Sequence, residues 1–124
     1  MKLANIGGRA ALVVGDDLAI DLATASGGRF GPDVQPLYDR WDELVAFAAE
    51  LDTSAAAPFE AERLLAPVPA PRQVFAIGLN YRAHAAETGR PLPTVPATFT
   101  KFPSAINAPI ADVELPADTV DWEV

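Results

Sequence analysis

Gln73-Val74-Phe75-Ala76-Ile77-Gly78-Leu79-Asn80-Tyr81-Arg82-Ala83-His84-Ala85-Ala86-Glu87 is the stretch on which the fold turns. Its opening apolar run, ended by glycine, predicts a strand over 73–78 buried on both faces. Asn80 is placed to cap a short helix running to Glu87, and Gly89 lies just past that helix. Gly78 and Asn80 both tolerate left-handed backbone angles, so a sharp turn fits between strand and helix. Such a strand-to-helix junction is a frequent seat for functional groups. His84 is the only histidine, and three positions away Glu87 shares its helix face. A carboxylate beside an imidazole fixes its tautomer and raises its basicity, which makes a water-activating pair. The same spacing also suits an ordinary solvated pair worth roughly 0.2–0.5 kcal/mol.

Upstream, Pro67-Val68-Pro69-Ala70-Pro71 cannot continue a helix and lacks three backbone donors, which predicts an extended connector over 67–72. Composition changes at the same place. Residues 1–66 carry 11 acids and five bases, residues 67–124 six acids and four bases, and nine of the 12 prolines fall at or after Pro67. The organisation expected is a domain over 1–66, the linker 67–72, and a second domain over 73–124. In the first, apolar runs at 2–6, 10–14 and 18–22 are separated by Gly7-Gly8-Arg9 and Gly15-Asp16-Asp17. These are tight-turn sequences, so a three-stranded meander is predicted. Residues 24–38 read as loop. Asp39 is a candidate cap for a helix over 40–52, with Trp41, Leu44, Val45, Ala48 and Leu51 as its sheet-facing stripe. A strand-like piece at 63–66 leads into the linker.

Downstream, Pro91, Pro93 and Pro96 enforce an extended stretch before a strand near 98–101. Pro103, Pro109 and Pro116 break the remainder into short pieces, ending in a strand over 119–124. The class expected is α+β, mostly β, with a small N-terminal α+β unit followed by a roll of short strands. Lys101, flanked by Phe99 and Phe102, can meet a substrate carboxylate or oxyanion, or simply snorkel to water from a strand edge. Asp121 and Glu123 fall on one face of the last strand, where two carboxylates can contribute to a hard-cation site.

Over 124 residues the formal charge is −8, and no apolar run approaches the ~18 residues that span a bilayer. So acidic a chain is not expected to bind nucleic acid, which needs a concentrated cationic surface. Neither a membrane nor a signal peptide is indicated. The absence of cysteine excludes disulfides and thiolate metal sites, and the simplest compartment is a reducing cytoplasm.

Taken together, these segments resemble the fumarylacetoacetate hydrolase family. The resemblance rests on residues 75–87, on Phe99-Thr100-Lys101-Phe102-Pro103-Ser104-Ala105-Ile106 and on Val120-Asp121-Trp122-Glu123-Val124, in the family's order. It is close over 62–124 and loose over 1–61; the family's usual Gly-Pro stands here as Ala108-Pro109. It implies a mixed β-roll, of which 73–124 is the first part. It also implies a divalent-cation enzyme acting on small 2-oxo acids or 1,3-dicarbonyl compounds, with Mg²⁺ foremost and Mn²⁺ or Ca²⁺ as alternatives. By resemblance, His84 and Glu87 are the catalytic pair on a lid-like helix, and Lys101 and Tyr81 are substrate-binding residues. Glu123 matches the first glutamate of a Glu-x-Glu metal motif whose second glutamate follows Val124. The implied reaction is hydrolysis of a C–C bond in acylpyruvate-like acids. A family hydratase, isomerase or decarboxylase and a non-catalytic interaction module are the alternatives, and a homodimer is the implied assembly. With Glu123 the one matched ligand, residues 1–124 alone are expected to hold no tight cation and to be inactive.

Overall fold

The structure, a computed structural model, describes residues 1–114. It divides into two compact units, Met1–Pro67 with the stretch from Asn107, and Val68–Ile106. The class is α+β and mostly sheet.

In the first unit, β1 (Lys2–Ile6), β2 (Arg9–Val14) and β3 (Leu18–Asp21) form the antiparallel meander, with Leu3 opposite Leu12 and Leu12 opposite Ile20. The first turn works because Gly7 and Gly8 both take positive φ, as a two-residue hairpin of primed type requires. The chain then leaves β3 directly into α1 (Leu22–Ala25), where the Asp21 carboxylate accepts the Thr24 N–H at 2.8 Å. A 3-10 turn over Gln35–Arg40 follows, so the segment expected as loop is partly helical. α2 (Trp41–Glu50) continues from that turn, with Arg40 rather than Asp39 at the cap position and no capping side chain. A side-chain cap needs an extended residue before the helix, and here the preceding residues are already coiled.

β4 (Ala57–Pro58) pairs with β3 and β5 (Leu64–Leu65) pairs with β1, giving the five-stranded order β4-β3-β2-β1-β5. Phe30, Leu22, Leu37 and Leu44 are fully buried at the centre. The face that α2 turns inward is Leu44, Phe47, Ala48 and Leu51, while Trp41 and Val45 stay exposed. The stripe is therefore rotated from the expected one. Phe47 tilts against Phe30 at 5.3 Å between ring centroids, whereas the exposed Trp41 stacks at 5.9 Å on Tyr38 at the edge of the core.

In the second unit, β6 (Val74–Gly78) and β7 (Ala97–Lys101) make a two-stranded antiparallel sheet, Val74 opposite Lys101 and Gly78 opposite Ala97. Burial on both faces of β6 is not observed: Phe75 is 63% exposed and Ile77 50%. A two-stranded sheet has too few neighbours to enclose an apolar strand. Between the strands lies α3 (Arg82–Glu87), with Tyr81 rather than Asn80 at its cap position. The left-handed turn falls on Leu79, φ +51, between the two residues expected to make it. At its other end α3 closes as the sequence predicts. Gly89, at positive φ, donates to the Ala86 carbonyl and Arg90 to that of Ala85, a Schellman closure. Among the described residues no helix is long and apolar enough to cross a membrane. The strand expected over 119–124, with Asp121 and Glu123, lies outside the described residues.

Candidate active site

β6 ends at Gly78, Leu79 reverses the chain, and α3 begins three residues later, so three positions of the motif carry the geometry. His84 Nδ1 and Glu87 Oε2 face each other at 3.7 Å, within ion-pair range and beyond a hydrogen bond. Both side chains are open to solvent, 51% and 74% exposed. The His84 carbonyl accepts the Thr88 N–H and hydroxyl, which fixes the last turn under the imidazole. Catalytic hydrogen bonds are often long without substrate and tighten in the complex. The arrangement can move a proton once something closes over it.

Tyr81 stands at the start of the same helix, 74% exposed, its carbonyl accepting the Ala85 N–H. Lys101 is elsewhere. It pairs with Val74, at the end of the hairpin remote from Gly78, four residues or about 13 Å along the strand. Its ammonium lies 5.3 Å over the Phe99 ring on the same face. The structure thus brings His84, Glu87 and Tyr81 onto one helix and leaves Lys101 apart. Glu123 is outside the described residues.

Two concavities have no counterpart in the expected site. One, about 390 Å³, is lined by Ile77, Leu79, Asn80, Arg82, Leu92 and Val95 among others, beside α3. Sequence spacing singled out neither Arg82 nor Leu79, because their role depends on how the 92–96 loop returns over the turn. The larger one, about 790 Å³, is in the first unit between the sheet and the end of α2, and holds none of the motif residues. Within its lining Arg9 grips Asp21 through two bonds of 2.7 and 3.0 Å. That guanidinium, with the Thr24 N–H and hydroxyl, pulls the Asp21 carboxyl down to about 2.

For a divalent cation the described residues do not suffice, since no three His, Cys, Asp or Glu side chains among them converge. Six-oxygen coordination needs more donors than His84 and Glu87 offer.

Residues 73–124 match the family model described as Fumarylacetoacetate (FAA) hydrolase C-terminal. Over these residues the chain is similar to the fumarylacetoacetate hydrolase family. The mitochondrial oxaloacetate tautomerase FAHD2A of Bos taurus is 45% identical over 62 residues, 48% of this chain and 20% of that protein. A 2,4-didehydro-3-deoxy-L-rhamnonate hydrolase of a Sphingomonas species is 40% identical over 85 residues, 66% of this chain and 30% of its own. A crystal structure of a Mycobacterium smegmatis protein assigned as HpcE superposes with a TM-score of 0.78 at 47% identity. That match covers 94% of this chain and 41% of the other. The chain therefore spans between about a fifth and two fifths of the family relatives it matches. These relatives carry enzyme names, a tautomerase and a hydrolase.

Proposed function

We propose that this protein is a hydrolase of the fumarylacetoacetate hydrolase family that cleaves a C–C bond in acylpyruvate-like 2-oxo acids. The observation that carries the reading is the His84–Glu87 pair on α3, set at the end of β6 within the family-matched residues. His84 takes the proton of the attacking water while Glu87 orients the imidazole and balances its charge. The hydroxide adds to the distal carbonyl, the C–C bond breaks, and the electron pair leaves on the pyruvate fragment as its enolate. Tyr81 and Lys101 are assigned to substrate contact. A divalent cation, Mg²⁺ first, belongs to the reading through Glu123 and would polarise the 2-oxo carboxylate when bound. The described residues do not form its site, and the proton transfers above use His84 and Glu87 alone. A homodimer in the cytoplasm is part of the same reading.

A second reading is favoured by the tautomerase relatives. In it the same pair moves a proton at the carbon beside the ketone of a 2-oxo diacid and breaks no C–C bond. Parallel assays of acylpyruvate cleavage and oxaloacetate enol–keto conversion separate the two. In either, His84→Ala made in the whole protein rather than in residues 1–124 alone should lower kcat about 10²–10⁴-fold with little change in KM. Turnover at the wild-type rate by that variant overturns the assignment. Chelation of divalent cations should abolish activity and added Mg²⁺ should restore it.

A further inference from the structure

The cleft beside α3 differs in sign from the chain as a whole. The chain carries a formal charge of −8, yet among the described residues the only charged one lining this cleft is Arg82. Arg9, Arg29 and Arg40 each pair with a carboxylate, whereas among the described residues Arg63, Arg72, Arg82 and Arg90 form no ion pair. Arg82 has no ion pair or side-chain hydrogen bond among the described residues, and neither do the amide of Asn80 or the hydroxyl of Thr94, which line the same cleft. Beside these polar groups lie Ile77, Leu79, Leu92 and Val95, so that polar and apolar surface line the open cleft about equally, and Ile77, Leu92 and Val95 are at least half exposed. Its volume of about 390 Å³ lies within the range of small-molecule sites, which combine apolar side chains with a small number of polar groups.

Helical spacing sets the direction. At 100° per residue, His84 and Glu87 lie about 200° and 140° from Arg82, on the opposite side of α3. The guanidinium is therefore not part of the water-activating pair. It is a planar donor fork, suited to two parallel hydrogen bonds with a carboxylate.

We propose that this cleft binds a small organic carboxylate with an apolar body, its carboxylate held by Arg82 and its carbon chain lying against Ile77, Leu79, Leu92 and Val95. A ligand there bridges the left-handed turn at Leu79, the start of α3 and the 92–96 loop, so its binding orders the segment that carries His84. This inference does not depend on which reaction the pair performs.

Butyrate is a suitable probe, with butyramide as its neutral isostere and inorganic phosphate as an anion without an apolar body. Titrated into isotope-labelled protein and followed by amide chemical shifts, butyrate should give saturable changes over residues 77–82 and 92–96. Butyramide and phosphate should each bind about tenfold more weakly or less, the scale of a lost charge-assisted hydrogen bond or a lost apolar contact. Arg82→Gln should weaken butyrate about 10- to 100-fold, with Arg82→Lys in between. Arg90→Gln, which removes a positive charge outside the cleft, should bind as wild type. Equal binding of butyrate and butyramide, unchanged binding by Arg82→Gln, or shifts confined to other residues would overturn the proposal. Phosphate binding as tight as butyrate would overturn its apolar half.

Discussion

Asp21 combines two roles that are usually divided between residues: it caps α1 through the Thr24 N–H, and it receives both nitrogens of the Arg9 fork from the neighbouring strand. Its side chain is 29% exposed, so solvent screens part of the pair's strength. Asp21→Ala should cost about 1–2 kcal/mol, the sum of a lost cap and a partly screened ion pair. Asp21→Asn keeps a capping oxygen and loses only the charge, for about half of that cost. The pH dependence has a definite sign. Folding lowers this carboxyl from 3.8 to about 2, first through the Arg9 hydrogen bonds, so the folded state favours the ionised form. The stability gap between wild type and Asp21→Asn should be full above about pH 5 and should close as the pH falls through 3.8 towards 2. A gap that widens on acidification in urea titrations would contradict the assignment. Sequence did not mark Asp21, because its partner on β2 becomes adjacent only when Ala11 and Asp21 come opposite each other.

Two elements show where local pattern decides and where it does not. In α2, Leu44 is fully buried and Val45 beside it is 43% exposed. Leu44→Ala should therefore cost about 2–5 kcal/mol, against less than about 0.5 kcal/mol for Val45→Ala. Equal losses in equilibrium unfolding would restore the stripe expected from spacing. The β6–α3 turn inverts a familiar preference. Leu79 sits at φ +51, a conformation that costs a residue with a Cβ about 1–2 kcal/mol. Leu79→Gly and Leu79→Ala both remove the side chain, but only glycine also removes that strain. The glycine variant should be the more stable by about 1 kcal/mol, although glycine is ordinarily the worse choice through its freedom in the unfolded chain. Measured stability at the α3 amides in the usual order, alanine above glycine, would show that the turn is unstrained. Backbone tolerance pointed to Gly78 or Asn80, yet the bend falls between them. The ladder holds Gly78 in β6 opposite Ala97, with the Phe99 ring 3.2 Å from where a Cβ would stand.

Across the whole molecule the two units differ in what holds them. The first buries Phe30, Leu22, Leu37 and Leu44 beneath a five-stranded sheet; in the second, Ala85 is the only fully buried hydrophobic side chain among the described residues. Local opening free energy follows buried apolar contact, so amides of β1, β2 and β3 should exchange far more slowly than those of β6, β7 and α3. Adding butyrate should slow exchange over residues 77–96 and leave the meander unchanged. Uniform protection across both units would show one cooperative structure instead. Much of this architecture is written locally. Short apolar runs broken at Gly7-Gly8 and at Gly15 mark the meander, the Gly89 closure marks the end of α3, and the Asn80 to Glu87 spacing puts the imidazole and carboxylate on one face. Each of these depends on residues a few positions apart, where backbone sterics and side-chain reach act alone. Tertiary structure decided the rest. The two-residue strands β4 and β5 exist only because Leu18 meets Pro58 and Ile6 meets Leu64, pairings made across dozens of residues. The buried face of α2, the exposed side of β6 and the lone guanidinium of the cleft beside α3 were likewise settled by which distant groups arrived, and no local period records that.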